Sequence, residues 1–276
     1  MIRIVRKPTD TPGDDSTSQV CAELDAIGAA WSDLDLDEVD PFDPDLEGAL
    51  IWACGLRQDG RQFEVLQALG LRNRVVNRPE AIATCASKVA TTALVLRAGL
   101  PSPATGFPGT RGQAAAFIEA HGGRAVVKPV YGFDGNGIRL VDDASDLEEP
   151  PYYLQEYVPN TEDYRVFVIG DRAVGAIRRT SPHLTHNIHQ GGRGESVTVT
   201  PEMAVLAIGA ARAVGVDYAG VDLLPVPGGY TVLEVNGTPN WHCMTAPIPA
   251  LLAAFLVREC RAMSARPRGT GSAGRR

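Results

Sequence analysis

The sequence predicts a mixed α/β (α+β) fold, and three observations carry that reading. Strand-like and helix-like runs alternate over the first part of the chain, which suggests a small α/β lobe. Further on, the lysine-ended strand RAVVK (124–128) leads into a glycine-rich stretch and then a second strand. Finally, two β-rich runs flank Pro227-Gly228-Gly229, a turn signal of hairpin length.

Composition bounds what such a fold can do. A chain of 276 residues can form one large domain or two or three lobes, and a hydrophobic content of 44% marks it as globular. No run approaches the length that spans a membrane, and the start MIRIVRKPTD lacks the apolar core of a signal peptide. A net charge of −7 argues against a nucleic-acid partner. The five cysteines are odd in number and widely spaced, without a CxxC, so neither a disulfide framework nor a zinc cage is indicated. A reducing cytoplasm is the expected compartment, with no membrane partner. The oligomeric state is left open, a homo-oligomer included.

In chain order, residues 2–5 read as a strand and 19–30 as a helix with Leu24 and Ile27 inward. The acidic, proline-punctuated run 33–45 reads as a solvated connection. Residues 48–53 form a second apolar strand, and 61–69 a helix with Phe63, Leu66 and Leu69 on one stripe. Pro79 opens a helix expected to run through Leu96 and to stop at Gly99. A further helix over 113–120 ends at Gly122-Gly123, ahead of the 124–128 strand. Strands follow at 138–141, 153–158, 165–169 and 173–179, then an amphipathic helix over 201–214. The expected organisation is an N-terminal α/β lobe over 1–83, a second region over 84–265, and a disordered basic tail over 266–276.

The hairpin AGVDLLPVPGGYTVLEVN carries the clearest chemistry. If it closes about Gly228, Asp222 faces Glu234, with Asn236 on the same side. Val221, Leu223, Leu233 and Val235 then point to the other face. Like charges facing across a ladder are destabilising unless a cation lies between them, and Asp, Glu and Asn oxygens suit magnesium. A solvated acidic strand face is the plain alternative. The loop 131–137, YGFDGNG, can lay backbone N–H groups on phosphates or be an ordinary turn. It lacks the GK[ST] ending and the helix of a Walker loop. Lys128 either serves that loop or snorkels from a strand end. Residues 153–158, with Asp163 beyond, can offer adenine a backbone donor and acceptor and ribose a carboxylate, or be a plain strand with a surface acid.

Adjacent Arg178 and Arg179 point to opposite strand faces, so one of them at most enters a cleft. The segment SPHLTHNIHQGGRG (181–194) is too polar for core. Its His186 and His189 lack a third ligand at zinc spacing. They can instead bond a substrate carboxylate alongside Asn187 and Arg193, or form a loop without a role.

Taken in order, SKVATTALVLRAGLPSPATG, VVKPVYGFDGNGIRLV, LQEYVPNTEDYRVFVIGD, AIRRT…HNIHQGG, AGVDLL and LEVNGTPN resemble the ATP-grasp ligases, specifically the RimK-like glutamate ligase branch. The resemblance runs from about residue 85 to 263, and six motifs fall in the right order. It implies an ATP-grasp fold, two subdomains clasping nucleotide behind an N-terminal α/β lobe. It also implies an ATP- and magnesium-dependent enzyme, with manganese as a substitute metal. Lys88 and Lys128 then match the lysines at the α- and β-phosphates. Gly132, Gly135 and Gly137 match the phosphate flap; Gln155, Glu156 and Tyr157 the hinge beside adenine; and Asp163 the ribose acid. Asp222, Glu234 and Asn236 match the metal ligands. Arg179, less securely Arg178, and Asn187 match residues near the acyl-phosphate, and His189, Arg193 and Asn240 lie on the substrate side. Two departures touch that side: the usual NxSPG ending is Asn236-Gly237-Thr238-Pro239-Asn240, followed by a bulky Trp241-His242-Cys243, and His189-Gln190 replaces a basic pair.

The implied reaction joins a carboxylate to the amine of an amino acid, glutamate in this branch, through an acyl-phosphate. The acceptor would be a pterin-type coenzyme resembling tetrahydromethanopterin, or a protein or carrier C-terminus. A nucleotide-binding scaffold without turnover is the rival from another class. ADP release that depends on added amino acid and acceptor separates the two.

Overall fold

The computed structural model describes residues 1–7, 15–56, 60–131, 137–184 and 191–265. The expected basic tail lies outside them. Contacts divide the chain into two compact units: Met1–Val76 with the chain from Pro249 onward, and Asn77–Ile248. Residues 77–83 therefore group with the second unit, where the sequence suggests a boundary after 83.

The first unit is a parallel sheet. Its elements are β1 (Ile2–Val5), α1 (Ser16–Ala26), β2 (Trp31–Asp33), β3 (Leu50–Ala53), α2 (Arg61–Gly70) and β4 (Arg74–Val76), with strand order β2-β1-β3-β4. Trp52 and its neighbours on β3 are buried, as a strand flanked on both sides requires. Leu24 is buried as expected, whereas Ile27, at the C-cap of α1, is 55% exposed.

The second unit opens with α3 (Pro79–Ala86) and α4 (Lys88–Arg97). One continuous helix was expected; the chain breaks at Ser87, whose side chain accepts from Ala90 N at 3.3 Å. Serine favours this capping role over a helix interior because its hydroxyl competes for backbone donors. The break puts Lys88 in a first helical turn.

A four-stranded sheet follows from β5 (Thr105–Gly106), α5 (Arg111–Ala120), β6 (Ala125–Lys128), β7 (Arg139–Val141) and β8 (Tyr153–Glu156), in the order β5-β8-β6-β7. Ala125 and Leu154 pack on Ala114 and Ile118 of α5. Val126, Lys128, Tyr153 and Gln155 share the opposite face by register.

The larger antiparallel sheet uses β9 (Glu162–Ile169), β10 (Arg172–Thr180), β11 (Arg193–Val197), β12 (Tyr218–Val226) and β13 (Gly229–Asn236), in the order β11-β10-β9-β12-β13. One face buries Val166, Val168, Ala176, Val221, Leu223 and Val235 against Met203, Leu206, Ala207, Ala210 and Val214 of α6 (Pro201–Val214). The last element, α7 (Ile248–Ala265), lies in a stretch for which no element was expected, although Leu252, Ala253, Phe255 and Leu256 recur at helical spacing. Among the described residues no helix is long and apolar enough to cross a membrane.

Asn77 ties the entry of the second unit to its central hairpin. Fully buried, it donates to Tyr218 O at 2.8 Å and Gly237 O at 2.6 Å, and accepts from Asp217 N at 2.5 Å and Tyr218 N at 3.1 Å. Asn77→Ala strands four buried backbone groups, each costing roughly 1–3 kcal/mol when unpaired, with partial relaxation. The expected loss is about 2–4 kcal/mol in denaturant unfolding, and Asn77→Asp, which cannot donate, should lose at least as much. A loss under about 0.5 kcal/mol in both variants contradicts this account of the junction.

Candidate active site on one face of the larger sheet

Strand alternation sorts charge from core on the larger sheet. The face away from α6 carries Asp163 and Arg165 on β9, Arg179 on β10, Asp222 on β12, and Glu234 and Asn236 on β13. Arg179 lies opposite Asp163, Arg165 opposite Asp222, Asp222 opposite Glu234, and Gly220 opposite Asn236. The expected pairing of Asp222 with Glu234 is therefore present. It depends on a bulge, because the pairing passes from Asp222–Glu234 to Leu223–Val232 and leaves Leu233 as the extra residue. Leu233, expected among the core residues, instead lines a cavity with Leu224.

Asp222 is not the unpaired carboxylate that the sequence suggests. Arg165 grips it with a fork, Nε to Oδ1 at 2.8 Å and Nη2 to Oδ2 at 2.9 Å, and Arg179 Nη2 reaches Oδ2 at 2.9 Å. Arg179 also forks onto Asp163, at 2.6 and 2.9 Å. Two guanidiniums thus neutralise two carboxylates in a site where Arg179, Asp163 and Asp222 are at most 5% exposed. Burial raises the Asp222 pKa, but the two arginines outweigh it and hold the carboxyl at about 2. Burial alone would lower that of Arg179; Asp222 and Asp163 drive it further above its usual value.

Glu234 sits in a different setting. Its Oε1 is 3.9 Å from Lys88 Nζ, and its side chain is 34% exposed. The Nδ2 of Asn236 is buried without a hydrogen-bond partner among the described residues. Which end of an amide is nitrogen is settled by its hydrogen bonds, so an unpartnered buried end can equally present oxygen.

The smaller sheet brings its own cation to this place. Lys128, at the end of β6, donates from Nζ to Gln155 Oε1 at 2.6 Å. Burial, and to a lesser extent Lys88, outweigh the opposing pull of Glu234 and Asp222 and bring its pKa down to about 8. Beside it lies a cavity walled by Pro103, Val126, Ile138, Leu224 and Leu233, with Gln155, Glu156 and Tyr157 at its edge. The Glu156 carboxylate is turned outward and accepts from Ala104 N at 3.2 Å. Gly137 closes the glycine-rich stretch at φ 73°, and a Cβ there would lie 2.8 Å from Pro129 Cγ. Cys85 is near enough to Glu234 to feel it; burial first and that charge second push its thiol up to about 12, which leaves it unreactive.

The structure separates some of the expected residues from this set. Arg178 is on the opposite face of β10, paired with Glu195 at 2.6 Å and Glu162 at 3.7 Å. Arg193 is exposed at the start of β11 opposite Thr180, hence on the face of Arg178 and not of Arg179. Asp163, expected beside a ribose, has both oxygens taken by Arg179. Asn240 is half-buried in the segment after β13. Gly132, Gly135, Asn187 and His189 lie outside the described residues. Among the described residues no cluster of three His, Cys, Asp or Glu is arranged to hold a metal ion; the set on this face is two carboxylates and an amide. Arg165 was not anticipated, although its position two residues after Asp163 on the same strand puts it on the same face.

Comparison with known proteins places the chain in a family. The RimK-like ATP-grasp domain matches residues 85–257. The tetrahydromethanopterin:alpha-L-glutamate ligase of Methanocaldococcus jannaschii is 33% identical over 197 residues, 65% of this chain and 67% of that protein. A probable alpha-L-glutamate ligase of Alkalilimnicola ehrlichii is 32% identical over 229 residues, 76% of this chain and 74% of the other. Among solved structures, the ATP-grasp ligase PsnB complexed with minimal precursor, Mg and ADP superposes with a TM-score of 0.74 at 23% identity, over 94% of this chain and 98% of that one. The chain belongs to the RimK-like ATP-grasp family of ligases.

Proposed function

We propose that the chain is an ATP-dependent carboxylate–amine ligase. ATP phosphorylates a substrate carboxylate to an acyl-phosphate, releasing ADP, and an amine then displaces the phosphate to form an amide. We take the amine to be that of L-glutamate and the acceptor to be a carboxylate-bearing molecule such as a pterin-type coenzyme. The name of the M. jannaschii relative supports that choice. The observation that carries the reading is a convergence: Lys88 from α4 lies 3.9 Å from Glu234, and Lys128 from β6, at the wall of a mostly apolar cavity, is near enough to feel both Glu234 and Asp222 of the larger sheet.

In this reading the cavity takes the adenine, with the backbone of Gln155, Glu156 and Tyr157 at its edge, and the two lysines meet the α- and β-phosphates. Asp163 reaches the ribose only by sharing its carboxylate with Arg179. The donor set fits magnesium: Glu234 is free of any short ion pair among those described, Asn236 has an unpartnered buried amide end, and all are hard oxygen donors. Magnesium held there offsets charge on phosphate oxygens, and manganese can take the same ligands. Arg179 would reach the equatorial oxygens of the transferring group only through Nη1, since its Nε and Nη2 are engaged by Asp163 and Asp222, while Arg178, on the far face, has no part. Asn187, His189 and Asn240 stay on the acceptor side by resemblance, and the register of Arg193 speaks against that role for it. No side-chain nucleophile is needed, and the reducing cytoplasm suits the five free cysteines.

Three outcomes follow. With all substrates present, ADP is the nucleotide product, and an oxygen-18 label on the acceptor carboxylate appears in the released phosphate; AMP with pyrophosphate, or unlabelled phosphate, contradicts the acyl-phosphate route.

Lys128 has a ligand-free pKa of about 8, which phosphate should raise. Below pH 8 the ammonium is already present. Above it, nucleotide binding takes up about one proton, and the dissociation constant climbs with pH. Calorimetry in two buffers of different ionisation enthalpy at pH 9 checks this. In Lys128→Met the proton uptake should vanish and affinity fall ~10- to 100-fold, more than in Arg193→Ala. Uptake that persists in Lys128→Met assigns the proton elsewhere.

The two carboxylates differ in what they hold. Asp222→Ala leaves the buried Arg179 and the half-buried Arg165 with a single carboxylate partner, Asp163, and should cost about 3–5 kcal/mol of stability. Glu234→Gln should leave the melting temperature within a few degrees of wild type while abolishing turnover. Equal thermal shifts in the two variants would refute the asymmetry.

A further inference from the structure

Arg165 plays no part in the reading above, yet the fold is shaped around it. Its partner on β12 is Asp222. Its stem runs across Gly220, where a Cβ would sit 3.2 Å from Arg165 Cδ and 2.9 Å from Pro239 Cβ. A side chain at 220 would press on both Pro239 and the stem, so the glycine leaves room for Arg165 to lie along the strand beside it.

The hydrogen bonds then restrict what Asp222 can offer. A carboxylate has about four acceptor positions. Three are filled: Oδ1 takes Arg165 Nε at 2.8 Å, and Oδ2 takes Arg165 Nη2 at 2.9 Å and Arg179 Nη2 at 2.9 Å. The remaining position is on Oδ1. Neither the Glu234 carboxylate nor the Asn236 amide is held by such a fork among the described interactions.

We propose that Arg165 is a positioning residue for metal loading, fixing Asp222 through the fork so that it offers a single Oδ1 acceptor toward a divalent cation. This inference rests on the reading of Asp222, Glu234 and Asn236 as the metal-facing set. A lysine in place of Arg165 keeps the charge but lacks the planar fork, and the carboxylate can then rotate. Partners that orient a metal ligand typically contribute 10- to 100-fold in metal affinity.

The test measures Mn²⁺ binding by electron paramagnetic resonance, at saturating ADP, on the full chain. Arg165→Lys should bind Mn²⁺ ~10- to 100-fold more weakly than wild type, with ADP affinity in chelator unchanged. If Arg165→Lys does not fold, Arg165→Gln, which keeps an amide donor but not the fork, decides the matter and should weaken Mn²⁺ binding in the same direction; Gly220→Ala is no substitute, because it also presses on Pro239 and lies opposite Asn236. Wild-type Mn²⁺ affinity in the folded variants overturns the inference. So does an equal loss of ADP affinity in chelator, which marks a merely structural residue. If Glu234→Gln also leaves Mn²⁺ binding untouched, or the wild-type chain binds none, it is the metal-site reading itself that fails.

Discussion

The structure depends above all on a linked series of opposite charges, Asp163–Arg179–Asp222–Arg165, spread over three neighbouring strands of one sheet and buried except at Arg165, which is half-buried. Either pair of like charges alone would be costly in this setting, since desolvation of an unpaired ion amounts to several kcal/mol. Linked in this order, two guanidiniums and two carboxylates sum to zero. The fork geometry fixes each carboxylate plane, which a lysine could not do. The linked set is therefore better understood as a device for orientation than as a source of stability.

That device sits between two regions of different character. On one side, Glu234 and Asn236 hold oxygen donors less encumbered than those of Asp222, and two lysines approach from α4 and β6. On the other, Phe167 stacks with Tyr218 and meets Trp241 edge-on, filling the sheet face beyond the charges with aromatic surface. Trp241 follows the segment in which this chain departs from its family's usual ending. Its ring is buried against Phe167 of β9, whereas Cys243 two residues on is exposed.

The lysines show how position sets chemistry. Lys88 owes its place to Ser87, which ends one helix and caps the next, so that the ammonium leaves a first helical turn toward Glu234. Lys128 owes its lowered pKa to burial at a strand end, where Gln155 Oε1 is its acceptor. An ammonium already poised to lose its proton gains most from an arriving phosphate, because the new negative charge restores the protonated form.

The period of two along a strand is local, so the sequence alone determined which residues of one strand share a face: Glu234 with Asn236, and Arg179 apart from Arg178. The alternation of strand and helix in the first lobe, the α6 stripe and the order of motifs were legible in the same way. What the charges pair with was decided by register between strands far apart in sequence, and no local pattern reports that. Arg165 meets Asp222 across 57 residues, and Asn77 meets Tyr218 across 141. The bulge at Leu233 is likewise tertiary, for without it the pairing at the tight turn would have put Asp222 opposite Leu233. Composition and spacing can place a carboxylate on a face, but only the folded sheet supplies the arginine that holds it.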